Sequence, residues 1–269
     1  MRAVYRLRFL FVAVIVAAAA LAVIGAQPTL SVHSPELRPD LLELEPKDFT
    51  IQTTTSGEQR LLYDLETVNS HTGPLEVFPT KQKCATTGQE ADGRTVKQRV
   101  YRDSNGNGYF DRGTDTQADI YTVGCMAFHR FHHHWHFDAF VGSSLWSLDE
   151  SGARVSEVAS SPKQSFCIAD VHRRQDLFDP DLPGAPSNPY YRDCGRNSTQ
   201  GLSVAWSDEY SSSTPGQYLV VTGLTGYVCF EATADPLAKL VEVSDTNNTD
   251  SIKTYLSGTS ITEYPSSTC

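Results

Sequence analysis

Residues 217–232 read Gln-Tyr-Leu-Val-Val-Thr-Gly-Leu-Thr-Gly-Tyr-Val-Cys-Phe-Glu-Ala. Two apolar runs rich in β-branched and aromatic residues, 217–222 and 226–232, flank a short turn containing glycine. That is the pattern of a pair of strands. The same signal recurs on both sides of this stretch, at 48–55, 60–69, 75–78, 96–101, 118–123, 239–243 and 251–255. No long stretch keeps a helical 3.6-residue period. Residues 176–200 are crowded with Pro, Gly, Asn and Asp and read as a long irregular loop, stapled by Cys194. The expectation is an all-β chain, a β-sandwich with long irregular loops held by disulfides.

The length of 269 residues suits one sizeable domain or two small ones. With 39% hydrophobic and 20% charged residues, a buried core forms and wholesale disorder is excluded. The formal charge of -10 argues against nucleic acid as a partner, since phosphate binding needs clustered Lys and Arg. It favours encounter with cationic partners, amines and basic proteins among them, over roughly 10 Å at ordinary salt.

Arg2, Arg6 and Arg8 precede an uncharged apolar run at 9–26 that ends in small residues. This reads as a secretory signal, or as a membrane anchor if it stays uncleaved. Residues 27–48, with Pro28, Pro35, Pro39 and Pro46, read as an extended lead-in, and 49–269 as the functional domain. The remainder of the chain is therefore expected outside the cytoplasm, secreted or anchored at its N-terminus. The six cysteines agree, because an even count in an exported chain points to disulfides. Six cysteines allow 15 connectivities. The sequential set 84–125, 167–194 and 229–269 is taken here. No Cys-x-x-Cys pair offers a zinc or redox site.

Residues 128–137 read Phe-His-Arg-Phe-His-His-His-Trp-His-Phe. The aromatic neighbours favour a strand, on which His132, His134 and His136 share one face and His133, Trp135 and Phe137 the other. Along an extended strand the outer two Cα atoms lie about 13 Å apart, so their rings must lean inward over His134 to share an ion. Three imidazoles suit Cu(II) or Zn(II), and copper binds more tightly at such a site. A solvated polar face or a buried histidine network is the plainer reading, and the strict alternate spacing weighs against it. His129 falls outside this register and reads as a supporting or proton-transfer group.

A second candidate metal site is the loop Asp103-Ser-Asn105-Gly-Asn107-Gly-Tyr109-Phe-Asp111. Asp103, Asn105, Asn107, the Tyr109 carbonyl and Asp111 have the ligand spacing of a calcium loop, with Gly108 at its sharp turn. Thr114 stands where the closing Glu is usual, with Asp115 beside it. The competing reading is an Asn-Gly turn between strands.

The histidine segment resembles the copper motif of the lysyl oxidase family: His129, two residues, then His132, His134 and His136. Three further segments match that family in order. They are Lys163-Gln-Ser-Phe-Cys167, then Gln200-Gly-Leu-Ser203 followed by Asp208-Glu-Tyr210, then Asp245-Thr-Asn-Asn248. Residues 37–77 also resemble the opening strands of microbial members, so the likeness spans roughly 37–255. It implies copper at the histidines and lysine tyrosylquinone made from Lys163 and Tyr210. The implied reaction is oxidative deamination of primary amines, peptidyl lysine or small amines, by O₂, giving aldehyde, ammonia and hydrogen peroxide. Lys163 is the only lysine between Lys97 and Lys239, which leaves one obvious donor in the central region. Asp208 and Asp138 are the candidate general bases. The chain departs from animal members in having fewer cysteines, in Trp206, and in a one-residue shortening after the copper motif. Two rival readings are a non-catalytic copper-binding β-sandwich and a zinc hydrolase built on the three histidines.

Overall fold

The computed structural model describes residues 34–87, 92–129, 133–161, 164–267 and 269; the apolar N-terminal segment, His132 and Lys163 lie outside these. Seventeen strands run along the described chain. The first eight are β1 (Glu36–Leu37), β2 (Leu41–Glu43), β3 (Lys47–Thr53), β4 (Gln59–Asn69), β5 (Leu75–Lys83), β6 (Gly93–Arg102), β7 (Ala118–His129) and β8 (His134–Phe137). Then follow β9 (Val141–Leu148), β10 (Arg154–Ser160), β11 (His172–Arg173), β12 (Gln200–Leu202), β13 (Trp206–Tyr210) and β14 (Leu219–Val220). β15 (Thr225–Ala234), β16 (Thr249–Ser257) and β17 (Ser260–Tyr264) close the series. The one helical element among the described residues is a 3₁₀ turn at Gln175–Leu177, inside the long irregular segment between β11 and β12.

The strands form three curled sheets of a β-sandwich. One runs β12-β5-β6-β7-β8, with β1 also on β6; a second runs β10-β9-β15-β16-β17. The third is organised on β4, which pairs with β2, β3, β13 and β14. Period-2 patterning explains what holds them together. On β4, Leu61, Tyr63 and Leu65 are buried, with half-exposed residues between them. They meet the buried face of β15, where Phe230 packs edge-on against Tyr63 at 4.5 Å and Phe49 at 4.9 Å. A fully buried Phe contributes up to about 3 kcal/mol by area alone, so this aromatic trio is a large part of the seam. The three disulfides are Cys84–Cys125, Cys167–Cys194 and Cys229–Cys269, the sequential set.

Several local expectations change. The runs 217–222 and 226–232 do not pair with each other: β14 lies on β4, while β15 lies between β9 and β16. The intervening turn, with Gly223 at φ +77°, is a corner from one sheet to another. Residues 239–243 form no strand. Leu240 and Val241 donate their N–H groups to the side chains of Asp235 and Gln98, and Val243 donates to the Pro39 carbonyl, with no strand ladder formed. The lead-in is paired into the sheets from Glu36 onward, with Leu41 fully buried. The histidine segment is not one continuous strand. It is a hairpin whose turn includes His133 at φ +59°, so β8 begins only at His134.

Candidate active site

The hairpin decides where the histidines point. His129 on β7 lies directly opposite His134 on β8, and Ala127 opposite His136. Cross-strand partners share a face, and so do residues two apart. His129, His134 and His136 therefore stand together, and Ala127 offers only a methyl beside His136. The imidazoles of His129 and His136 stack at 5.1 Å, and those of His134 and His136 lie 4.7 Å apart. The alternate residues, Phe128 and Trp135, pack edge-to-face at 5.1 Å on the other side. Trp135 is further pinned from the long loop: its backbone N–H donates to the Cys194 carbonyl and its indole N–H to the Arg196 carbonyl. The hairpin is thus held from behind by aromatic packing while its histidine face looks into a cavity.

That cavity, of about 300 Å³, is lined by His129, His134, His136, Phe166, Cys167, Tyr210, Thr214 and Pro215. The tyrosine comes from β13, whose alternation puts Asp208 and Tyr210 on one buried face. The Tyr210 hydroxyl donates to Asp208 Oδ2 at 2.6 Å and has the Cys167 carbonyl at 3.1 Å. Asp208 also accepts the Ala169 N–H. Burial pushes the Asp208 carboxyl up to about 8, against its hydrogen bonds from Tyr210 and Ala169. Burial, and then the neighbouring Asp208 charge, hold the Tyr210 phenol well above its ordinary range. Phe166 covers the phenol ring, 4.1 Å between centroids.

The segment carrying Phe166 and Cys167 is itself anchored to β8. Phe137 and Phe166 exchange both backbone hydrogen bonds, and Phe140 N–H donates to the Gln164 carbonyl. The Cys167–Cys194 bridge ties this segment to the long loop.

The other carboxylate singled out in sequence, Asp138, lies elsewhere. Both its oxygens accept from Thr87, one from the backbone N–H at 2.8 Å and one from the hydroxyl at 2.6 Å, and it does not line the cavity. In the 103–111 loop, Asp103 accepts the N–H groups of Gly106, Asn107 and Gly108. The Asn105, Asn107 and Asp111 side-chain oxygens accept from Asn107, Tyr109 and Gly113. The loop is thus closed largely by its own backbone. A tighter carboxylate group, not seen in the sequence, is Asp235, Glu242 and Asp245, with one oxygen from each within 4.8 Å of the others. Burial pushes Glu242 there to about 8, and the charges of Asp235 and Asp245 act in the same sense. A larger cavity of about 500 Å³ beside Phe110, Arg112, Pro186 and Tyr190 contains neither the histidines nor Tyr210.

A family model described as lysyl oxidase matches residues 110–265, more than half of the chain and the whole of the site just described. The chain belongs to the lysyl oxidase family. No curated protein matches it significantly. For a lysyl oxidase family member the three disulfides fit an oxidising, extracytoplasmic setting. No helix among the described residues is long and apolar enough to cross a membrane. Residues 103–109 of the acidic loop precede the matched region, so the lysyl oxidase likeness says nothing of them.

Proposed function

We propose that this chain is a copper- and quinone-dependent amine oxidase, converting primary amines and O₂ to aldehyde, ammonia and hydrogen peroxide. The observation that carries this reading is one cavity lined by both the histidine face and a buried tyrosine bonded to a carboxylate.

The residues present suit both groups. His134 Nε2 and His136 Nε2 are 2.7 Å apart. Two nitrogens bound at about 2.0 Å and at right angles around one ion stand roughly 2.9 Å apart, close to that spacing. His134 and His136, with His132, would hold the copper, and His129 would serve as a further ligand or as the group that orients them. Tyr210, with Lys163 as its cross-linking partner, would supply the quinone. Copper and quinone together provide the electron sink for the amine and the route to O₂.

The remaining steps fall to the protein. Asp208, beside the Tyr210 ring, is the proton acceptor for the amine carbon; Asp138, occupied with Thr87, is not needed there. Phe166 and Pro215 keep an apolar wall on the cavity, which favours the neutral, nucleophilic amine over its ammonium. The net charge of -10 raises the encounter rate with cationic substrates such as lysine-rich proteins or diamines. We read the 103–111 loop as a structural calcium site, outside the chemistry.

The test is to produce residues 27–269 with copper, react the protein with phenylhydrazine and map any coloured adduct by peptide mass spectrometry. A labelled, cross-linked pair of peptides containing Lys163 and Tyr210 supports the reading. Copper-loaded, aerated protein without adduct points to a copper-binding module, and O₂-independent hydrolysis with zinc to a hydrolase.

A further inference from the structure

The ladder between β8 and the 164–168 segment stops abruptly. Phe137 and Phe166 exchange both of their hydrogen bonds. In a continuing antiparallel ladder the next such pair is Trp135 with Ile168, two residues back on one side and two forward on the other. That pair does not form. The Trp135 N–H goes to the Cys194 carbonyl, and the Ile168 carbonyl takes the Gly201 N–H. The two groups left, the Ile168 N–H and the Trp135 carbonyl, are both satisfied by one side chain. Gln200 Oε1 accepts from Ile168 N–H at 3.0 Å, and Gln200 Nε2 donates to the Trp135 carbonyl at 2.7 Å.

The Gln200 amide therefore stands where a direct N–H···O=C bond would be. It is fully buried, at 0% exposure. Its position is fixed by β12, which lies so close on β5 that a Cβ at Gly201 would sit 2.0 Å from the Leu75 carbonyl oxygen. An amide spacer in a ladder forces the two backbones apart by about the width of that group. It does so at a particular level: Trp135 separates His134 from His136, and Ile168 follows Cys167, whose carbonyl faces the Tyr210 hydroxyl. The cavity is lined by the neighbours of the two bridged residues, His134 and His136 on one side and Cys167 on the other, together with Tyr210.

We propose that Gln200 is a positioning residue that sets the separation between the metal-binding strand and the segment holding Tyr210. This rests on the amine oxidase reading for its functional meaning, but the spacing is a property of the backbone. Without the amide, Ile168 N–H and the Trp135 carbonyl are free to bond directly, and the two walls of the cavity draw together. Copper still binds, through intact imidazoles, but in an altered relation to Tyr210.

A matched control exists in the same molecule. Gln98 is also 0% exposed, and its amide bridges one backbone unit by the same pair of bonds, to the Val241 N–H and carbonyl, away from the histidines. The experiment compares wild type, Gln200→Leu, Gln200→Glu and Gln98→Leu. It reads the thermal midpoint, the Cu(II) EPR spectrum, and the rate at which phenylhydrazine-reactive cofactor appears after copper and air reach metal-free protein. Both Leu variants are expected to lose comparable thermal stability. Only Gln200→Leu should alter the EPR spectrum and slow cofactor formation, by about tenfold or more, since ångström-scale misplacement has costs of that order. Gln200→Glu keeps the length and the acceptor for Ile168, and carries the comparison if the Leu variant does not fold. A Gln200 variant with the EPR spectrum and formation rate of Gln98→Leu overturns the proposal, leaving Gln200 an ordinary clamp. Wild type that yields no adduct at all defeats the amine oxidase reading instead, and the EPR comparison still decides the spacing.

Discussion

The Tyr210 hydroxyl lies 2.6 Å from a carboxylate oxygen of Asp208, two positions earlier on the same strand, and both side chains are buried. Strand alternation guarantees that the two share a face, and burial makes their hydrogen bond the main polar partner of each. In the proposed amine oxidase, cofactor and base chemistry would meet at this pair.

Tyr210→Phe should leave copper bound and remove the phenylhydrazine adduct and amine-dependent peroxide entirely. Loss of the hydroxyl removes the 2.6 Å hydrogen bond to Asp208 Oδ2 and keeps the one from the Ala169 N–H. Stability should fall by about 1–2 kcal/mol, measurable by urea unfolding. Peroxide release at the wild-type rate from this variant would refute the cofactor assignment.

Asp208 sits up at about 8, so as a base it is mostly protonated at neutral pH. Activity should rise as pH climbs through about 8 and level off above it. Asp208→Asn should lose this limb and roughly 10²–10⁴-fold in kcat/KM. A pH profile for Asp208→Asn that overlays the wild type would remove Asp208 from the mechanism.

His134→Ala and His136→Ala should each abolish stoichiometric copper, measured by elemental analysis after dialysis. Both should remain folded when metal-free, because the hairpin is held by Phe128, Trp135 and the Cys194 and Arg196 carbonyls on its other face. His129→Ala separates two roles: loss of copper makes His129 a ligand, while retained copper with impaired turnover makes it a supporting group.

Replacing Cys167 and Cys194 by serine opens a 27-residue separation closed by their bridge. Chain entropy sets the cost at roughly 3–4 kcal/mol. Because the Cys167 carbonyl faces the Tyr210 hydroxyl, cofactor formation should fail in the serine pair even at temperatures where the fold survives. Denaturant curves and the phenylhydrazine adduct read the two effects separately.

Glu43, Asp208 and Glu242 are each raised to about 8 by burial, from ordinary values near 4. The folded state then binds more protons than the unfolded state across that window. Stability from these groups is full below about pH 4 and lost as pH rises through 8, at up to about 1.4 kcal/mol per pH unit for each group. The metal-free protein should melt at a higher temperature near pH 5 than near pH 8. Glu43→Gln, at a residue that does not line the cavity, should flatten the slope; an unchanged slope would show that Glu43 ionises freely in the fold.

The sheets were legible in the sequence because alternation on segments such as 60–69 leaves little else for them to be. The pairing was less so. The sequence between His129 and His134 contains no Gly, Asn or Pro, and His133 adopts a positive φ without the residue types that usually announce it, so the histidines read as one strand. His129 then fell outside the register, when cross-strand pairing puts it opposite His134. Residues 239–243 have strand composition, but Leu240 and Val241 find their partners in the side chains of Asp235 and Gln98, which no local pattern reveals. Tyr210 was singled out by the family resemblance and Asp208 by its nearness in sequence, and the structure brings the two side chains together. Gln200 bridges residues 65 and 32 positions away, and the Asp235, Glu242 and Asp245 cluster closes only when the irregular segment folds.

The six cysteines pair consecutively, first with second, third with fourth and fifth with sixth, and no bridge spans another. A thiol oxidant acting on the chain as it emerges N-terminus first would meet each pair before the following one. Oxidation in order of appearance would yield the native set without any reshuffling of wrong pairs.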